Sequence, residues 1–162
     1  MNVAVIGGGA SGFFAALSVK EHHPKYNVTI FEKSNKILSK VKISGGGRCN
    51  VTNVVSNIAQ LSRAYPRGRS KLKKAFHEFS TEDTISWFEE RGVPLVTQED
   101  GCIFPASQDS QSIIDCFISE CQALGIDIIK SKGAKAILPN QDSITIDFVD
   151  EKQVFDKVII AT

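Results

Sequence analysis

Short apolar runs and helically spaced apolar residues alternate over about the first 30 residues of the chain. Val3–Ile6 is an unbroken apolar run that stops at Gly7-Gly8-Gly9, as buried parallel strands do. From Ser11 the apolar positions follow a helical spacing up to Pro24, which would close the helix. Asn27–Phe31 is a second run rich in β-branched and aromatic residues. The order strand, glycine turn, helix and strand predicts a βαβ unit.

Beyond this unit the pattern predicts three helices and a series of short strands. Residues 33–69 show no clear period and are expected to be irregular. Helices are predicted over Ser70–Phe79, from a capping sequence at Ser80 to Gly92, and over Ser110–Leu124, with a hairpin turn at Asp100-Gly101. Four strands are predicted after them: Asp127–Lys130, Lys135–Leu138, Ser143–Val149 and Val154–Thr162.

Together these elements predict an α/β fold of the Rossmann type. We expect Lys157–Thr162 to join the parallel sheet beside the βαβ unit. The three strands before it are expected to form a small antiparallel meander over one face of that sheet. The length of 162 residues fits one domain, predicted over residues 1–162.

The first glycine turn has the spacing Gly7-x-Gly9-x-x-Gly12, and Glu32 follows at the end of the second predicted strand. Gly7 would allow a tight turn, Gly9 would let a pyrophosphate approach the backbone, and Gly12 would let helix and strand pack closely. The N–H groups of Ala10–Gly12 would face the phosphates at the positive end of the helix. Glu32 would accept the ribose hydroxyls of an adenosine. The pattern favours dinucleotide binding over a packing turn or an S-adenosylmethionine site; NAD and FAD both stay open, whereas the acid disfavours NADP.

A second glycine cluster lies in the segment Ser44–Asn53. Three consecutive glycines followed by Arg, Asn and Thr can form a backbone nest around a polar cofactor; a merely structural loop is the alternative. Arg48 could pair with a phosphate or a substrate carboxylate. Cys49 could be a redox thiol, but packing against the cofactor is the preferred interpretation, because no partner cysteine accompanies it.

Charge is distributed unevenly along the chain. Residues Lys33–His77 include eleven lysines and arginines and no acid, whereas sixteen of the eighteen acids lie from Glu78 onward. A segment of one sign indicates an anionic partner. A solvated face is the alternative.

The remaining composition excludes several classes of function. The four cysteines form no CxxC pair, which argues against a dithiol reductase, and neither they nor the three histidines show metal-ligand spacing. Cys116 and Cys121 are predicted to pack in the core from one helix. No apolar run is long enough to span a membrane, and the start of the chain lacks a signal peptide, so we expect a cytoplasmic protein.

The run SGGGRCNVTN over residues 44–53 resembles the signature of the YhiN/BaiN-like flavoproteins, a family of NAD(P)/FAD-dependent oxidoreductases. The resemblance continues over essentially the whole chain, for example in Leu38–Ile43 and Val158–Thr162. It implies that Gly7, Gly9, Ala10, Ser11 and Gly12 hold the FAD pyrophosphate and Glu32 the adenosine ribose. It also implies that Lys33 and Lys40 flank the ADP part and that the backbone of Ala134 contacts adenine. Thr162 would begin a motif that returns to the FAD. The residues along the cofactor toward the flavin would be Gly46, Gly47, Arg48, Cys49 and Asn50.

Two departures from the family pattern accompany this resemblance. Leu38-Ser39 stands where many relatives have Gly-Arg or Gly-Lys, which removes a cation from the phosphate side. Relatives are also more than twice as long, with an inserted domain and a C-terminal return to the flavin. We therefore expect residues 1–162 to be the N-terminal FAD-binding portion, inactive alone and partnered by the remainder of a parent polypeptide.

The resemblance implies hydride transfer between a nicotinamide donor, NAD(P)H, and a small organic substrate. No side chain is identified as a catalytic acid or base, since His77 is expected to be a solvated helix residue. One alternative is an RNA-associated FAD protein that uses the basic stretch Arg63–Lys74, although only Tyr65 and Phe76 supply aromatic rings there and a nucleic-acid partner is not favoured. Another is a non-catalytic ADP/FAD-binding module.

Overall fold

The computed structural model describes residues 1–162 and contains ten strands and six helices. The strands are β1 (Asn2–Ile6), β2 (Asn27–Phe31), β3 (Thr52–Asn53), β4 (Leu95–Thr97), β5 (Cys102–Pro105), β6 (Asp127–Ile129), β7 (Ala134–Pro139), β8 (Ile144–Phe148), β9 (Lys152–Phe155) and β10 (Lys157–Ile160). The helices are α1 (Ala10–His22), α2 (Ser39–Ile43), α3 (Ile58–Arg63), α4 (Arg69–Glu78), α5 (Thr81–Glu89) and α6 (Gln111–Ala123).

The chain divides into two compact units. The first comprises residues 1–41 and 117–162, and the second comprises residues 42–116. Each unit has sheet structure of its own.

The first unit is built on a parallel sheet with the strand order β10-β1-β2-β6. Its central strand β1 is apolar over Val3–Ile6 and buried there, as strands covered on both faces are. On one face of the sheet, Phe13 and Leu17 of α1 are buried. The ring centroids of Phe13 and Phe117 lie 5.9 Å apart. The predicted βαβ unit and the predicted parallel pairing of the last strand are both confirmed.

The antiparallel meander β7-β8-β9 packs against residues of the parallel sheet. The ring centroid of Phe148 on β8 lies 4.8 Å from that of Phe31 on β2, and the ring centroid of Phe155 on β9 lies 5.7 Å from that of Phe31. These aromatic contacts, together with Ile146, Ala4 and Ile6, form a buried cluster that joins meander and sheet. The fold is therefore the predicted Rossmann-type α/β fold with a small meander.

The second unit contains the three-stranded antiparallel sheet β3-β5-β4 and helices α3, α4 and α5. Helix α5 begins with the predicted cap: Ser80 and Asp83 exchange hydrogen bonds in a capping box. The predicted turn at Asp100-Gly101 joins β4 to β5, with Gly101 at a φ of 80°. Trp87 and Phe88 of α5 are buried, as are Ile103 and Phe104 of β5.

Three details of the predicted fold are wrong. Residues 33–69 are not all irregular, because α2, a 3₁₀ turn at Ser44–Gly47, β3 and α3 lie there; each is too short to show a period in the sequence. The predicted strand Val154–Thr162 is two strands, separated at Asp156, whose carboxylate accepts a hydrogen bond from the Asn2 N–H. The predicted strand at Asp127 pairs with β2 in the parallel sheet, so β9 completes the meander in its place.

No helix of the chain is both long and apolar enough to cross a lipid bilayer. The cytoplasmic location stays a prediction. Cys116 and Cys121 are both buried on α6, as predicted.

Leu38 has a positive φ of 53° and is only 1% exposed. The left-handed conformation costs a non-glycine residue about 1–2 kcal/mol, whereas truncating a buried leucine to alanine costs about 2–5 kcal/mol. Glycine usually destabilises by about 0.5–1 kcal/mol relative to alanine, but here it would also relieve the strain. We therefore expect Leu38→Gly to be at least as stable as Leu38→Ala, with both below the wild type. Urea denaturation measures this order, and a Leu38→Gly protein about 1 kcal/mol less stable than Leu38→Ala would contradict it.

Candidate functional site

The glycine turn lies at the carboxyl end of β1, where backbones approach each other closely. A Cβ on Gly12 would lie 1.9 Å from the carbonyl oxygen of Gly7, so only glycine allows α1 to begin this near the strand. Gly7 has a φ of 117°, and a Cβ there would lie 2.5 Å from the carbonyl oxygen of Ala161. The two glycines thus have the geometry expected of a tight turn and of close helix–strand packing.

Gly9 differs from these two glycines, because it faces open space. It is the N-cap of α1 with extended backbone (φ −90°, ψ −179°), and no atom lies within 4 Å of a Cβ built there. No side chain caps this helix end and no acid lies in its first turn. The first-turn N–H groups of Ala10–Gly12 and the positive end of the helix dipole are therefore available to an anion.

Glu32 lies at the end of β2 and connects the two loops at this edge of the sheet. Its carboxylate accepts hydrogen bonds from the N–H of Gly8 and the N–H of Ser34, each at 2.8 Å. Partial burial opposes ionisation, but the hydrogen bonds from Ser34 and Gly8 outweigh it and hold the pKa of Glu32 below its ordinary value of 4.5. The carboxylate is thus ionised at neutral pH, and two accepted bonds leave it with lone pairs for hydroxyl groups.

The other predicted residues of the first unit surround this edge of the sheet. The segment before Ala134 runs beside Glu32, since the N–H of Lys132 donates to the Glu32 carbonyl at 2.8 Å and Gly133 packs on Lys33. Thr162 follows Ala161 beside Gly7, and the Ser11 hydroxyl donates to the Ala161 carbonyl at 3.4 Å. Lys40 lies exposed on α2, which follows Leu38; the Leu38 N–H donates to the Gly8 carbonyl at 2.7 Å.

Gly8 helps to position Glu32 through a contact that the dinucleotide motif alone does not predict. Its N–H binds Glu32, and a Cβ there would lie 2.9 Å from the Glu32 Cβ. The uninterrupted Gly7-Gly8-Gly9 run was the available signal, because the dinucleotide motif itself leaves this position open.

The second glycine loop belongs to the second unit and has left-handed backbone at three consecutive glycines. Gly45, Gly46 and Gly47 have φ values of 55°, 69° and 87°. A Cβ on Gly45 would lie 2.8 Å from both the Asn50 nitrogen and the Phe104 ring, whereas one on Gly46 would meet nothing within 4 Å. The loop therefore combines a packed position with an open one, as the first glycine turn does.

Arg48 is held in place by uncharged partners. Its Nε donates to the Gly45 carbonyl at 3.2 Å, its Nη1 donates to the Gln108 amide oxygen at 3.3 Å, and its guanidinium lies 4.2 Å from the centre of the Phe104 ring. The guanidinium also interacts with the carboxylate of Asp100, whose pKa is lowered mainly by hydrogen bonds with Cys102 and in smaller part by the charge of Arg48. The charge is thus oriented by its neutral partners and lies near one acid.

Cys49 is buried with a φ of 64°. Burial raises the pKa of its thiol above the ordinary value of 9.0, against a hydrogen bond with Ser44 that lowers it. A thiol with a raised pKa is a poor nucleophile at neutral pH. This environment favours packing over redox chemistry for Cys49.

The second unit also contains a cavity of about 430 Å³. Asn50, Thr52 and Asn53, the end of the second glycine segment, form part of its wall. Tyr65, Phe76, Ser80 and Thr84 lie around the rest. Sequence reasoning did not identify this cavity, because its residues come from separate helices and a two-residue strand.

Comparison with known proteins identifies relatives over the whole chain. The family model described as "HI0933-like protein Rossmann domain" matches residues 1–162. The ribosomal RNA dihydrouridine synthase of Haemophilus influenzae is 29% identical, with 90% of this chain and 35% of the relative covered. The 3-dehydro-bile acid delta(4,6)-reductase of Clostridium scindens is 26% identical, with 98% of this chain and 38% of the relative covered. The chain thus spans a little over a third of the length of these curated relatives.

Solved structures confirm the fold. FrdA of Escherichia coli quinol fumarate reductase superposes with a TM-score of 0.73 at 15% identity, covering 99% of this chain and 32% of that chain. At such low identity the likeness establishes the fold alone. The predicted Rossmann-type architecture is therefore confirmed both by the family match and by structure.

Gly9 and Gly12 form a matched pair for testing the nucleotide site. Gly9→Val places a side chain in open space on backbone that valine accepts, so we expect native circular dichroism but no retention of an ADP-containing dinucleotide. Gly12→Val would force an atom onto the Gly7 carbonyl and should destabilise the fold by about 3 kcal/mol or more. Calorimetric titration with ADP and FAD, beside thermal unfolding, measures both effects. A folded Gly9→Val protein with wild-type affinity would show that the phosphates bind elsewhere.

The depressed pKa of Glu32 predicts a pH-dependent contribution to stability. The contribution is present above the ordinary pKa of 4.5 and is lost as the pH falls below it, through the lower pKa of the folded state. In Glu32→Gln one of the two N–H donors would face an amide NH₂, so this contribution should be absent. The stability gap between wild type and variant should thus narrow on acidification, as urea denaturation at several pH values would show. A gap independent of pH would mean that Glu32 is not held by these bonds.

Proposed function

The chain belongs to the HI0933-like family of Rossmann-domain proteins, and we propose that it is the FAD-binding portion of a flavin-dependent oxidoreductase. The fit between residues and cofactor supports this proposal. An open cradle lies at Gly9, an uncapped helix begins at Ala10, and an ionised Glu32 lies at the end of the next strand. The open space at Gly9 is the single observation that carries the proposal, because the neighbouring Gly7 and Gly12 are closely packed and Gly9 is not.

Each predicted site residue has a role in this proposal. The turn and the first helical residues would bind the pyrophosphate through N–H groups, and Glu32 would accept the ribose hydroxyls. Lys33, Lys40 and the backbone of Ala134 would bind the ADP part, and Thr162 would follow the turn toward the cofactor. The second loop would serve the flavin side, through Gly46, Gly47, Arg48, Cys49 and Asn50.

The names of the relatives suggest the type of reaction. Dihydrouridine arises by reduction of the C5=C6 bond of uridine, and a delta(4,6)-reductase acting on a 3-dehydro bile acid reduces carbon–carbon double bonds conjugated with the 3-oxo group. Both substrates contain a double bond conjugated with a carbonyl. We therefore propose that the whole protein reduces such a bond with NAD(P)H as the donor.

When bound, FAD supplies the hydride chemistry that amino-acid side chains lack. The chain's own residues bind and orient the cofactor, and Arg48 provides a fixed positive charge held by Gly45, Gln108 and Phe104. Such a charge can stabilise negative charge that develops on a substrate carbonyl or a cofactor oxygen. Cys49, which is buried, would pack against the cofactor. A small-molecule substrate and the remainder of the polypeptide are the partners proposed with this function.

Anaerobic reduction of the full-length protein tests the proposal. NADH or NADPH should bleach the flavin absorbance, and an excess of a conjugated enone should restore it without oxygen. The Gly9→Val protein, expected to lack FAD, is the matched control and should show neither change. Flavin that is bleached but returns only with oxygen would contradict the reductase proposal. Flavin that neither nicotinamide reduces would contradict the choice of donor.

A further inference from the structure

Ser110, the residue before α6, binds the second glycine loop through both of its hydrogen-bond donors. The residue is completely buried, with 0% of its surface exposed. Its hydroxyl donates to the Lys42 carbonyl at 2.9 Å, and its backbone N–H donates to the Gly47 carbonyl at 2.9 Å. The first of these carbonyls precedes the glycine loop and the second ends it. One buried residue therefore holds the loop at both ends, and all of these contacts lie within the second unit.

The start of α6 is arranged so that the Ser110 hydroxyl donates away from the helix. A serine before a helix usually accepts a hydrogen bond from an N–H group of the first turn. Here the Asp109 carboxylate accepts from the Gln111 N–H at 2.9 Å. The Lys42 ammonium adds a second connection, because it donates to the Gln111 side-chain oxygen at 3.1 Å. The residues around the helix start are thus joined to the loop by main-chain and side-chain contacts.

The loop needs support from outside because its own residues restrain it little. Glycine loses more conformational freedom on folding than any other residue, and Gly45–Gly47 are three glycines in succession. Gly45 is closely packed, but a Cβ on Gly46 would meet nothing within 4 Å and one on Gly47 would meet a single atom at 3.9 Å. The bonds to Ser110 therefore restrain the part of the loop that packs against almost nothing.

The position of the loop also determines the position of a positive charge. Arg48 follows Gly47 directly, and its Nε donates to the Gly45 carbonyl at 3.2 Å. A shift of the loop would therefore move the guanidinium. Charges and hydrogen bonds beside a flavin determine how strongly its reduced, negatively charged form is bound relative to the oxidised form. A residue that fixes the loop can thus act on the cofactor without touching it.

We propose that Ser110 is a positioning residue for the flavin. Its hydroxyl and its N–H hold the second glycine loop, and with it Arg48, in the geometry that stabilises the reduced cofactor. The inference rests on the proposed function, since it takes this loop to serve the flavin side. Ser110 acts through the loop, because both of its donors are used on carbonyls of Lys42 and Gly47.

The variant Ser110→Ala in the full-length protein tests the proposal, because it removes the hydroxyl bond and keeps the N–H bond. Amide hydrogen exchange over residues 44–49 should become about tenfold faster, with or without FAD, since one hydrogen bond that restrains the loop is lost. The reduction potential of the bound flavin should fall by about 30 mV. For a two-electron couple this shift corresponds to about tenfold weaker binding of reduced relative to oxidised FAD.

The variant Ser62→Ala is the matched control. Ser62 is equally buried, and its hydroxyl donates to the Ala59 carbonyl at 3.1 Å within α3. Its removal should lower stability to a similar extent but leave loop exchange and flavin potential at the wild-type values. Ser110→Cys keeps a weaker donor of similar size and should change both quantities in the same direction by about threefold. This variant decides the matter if Ser110→Ala does not fold.

Three results would overturn the proposal. Wild-type exchange of the loop in Ser110→Ala would show that the hydroxyl does not restrain it. Faster exchange with an unchanged potential would show that the loop does not position groups that act on the flavin. Equal changes in Ser62→Ala would show a general loss of stability. Failure of the proposed function is recognised separately, because the wild-type protein would then take up no FAD before any variant is compared.

Discussion

The first unit depends on backbone segments that approach each other too closely for any residue larger than glycine. A Cβ on Gly12 would lie 1.9 Å from the Gly7 oxygen, and a Cβ on Gly7 would lie 2.5 Å from the Ala161 oxygen. The close contacts of Gly7 therefore bring three element ends together: the end of β1, the start of α1 and the end of β10. The free helix N-terminus at Gly9 and the position of the β2 end beside it follow from this arrangement.

The ionised carboxylate of Glu32 further stabilises the glycine turn. It binds the N–H groups of Gly8 and Ser34, which fixes the glycine turn relative to the end of β2. The same bonds keep it ionised, so it can accept hydroxyl groups near a helix end that attracts phosphates. Glu32 thus stabilises the turn, and in the proposed cofactor site the same residue would recognise a ribose. In the second glycine loop, Arg48 supplies a positive charge that hydrogen bonds to Gly45 and Gln108 hold in place.

The local structure could be predicted from the sequence where the residues concerned lie at fixed short offsets along the chain. The glycine spacing and the acid after β2 belong to a single βαβ unit, and the Ser80–Asp83 cap lies within one turn. Prediction failed where tertiary contacts decide. The break at Asp156 depends on Asn2, and the pairing of β6 with β2 joins residues about 100 positions apart, so neither leaves a local pattern. The cavity likewise unites Asn53, Tyr65 and Thr84 only after folding.

Identification of the cofactor released from the purified full-length protein tests whether this fold binds FAD. The absorbance spectrum of the native protein, followed by chromatography of the supernatant after denaturation, distinguishes FAD from other nucleotides. We expect oxidised-flavin absorbance and the release of about one FAD per chain. A colourless protein that takes up NAD but cannot be reconstituted with FAD would contradict it, because the turn at Gly9 would then serve a different dinucleotide.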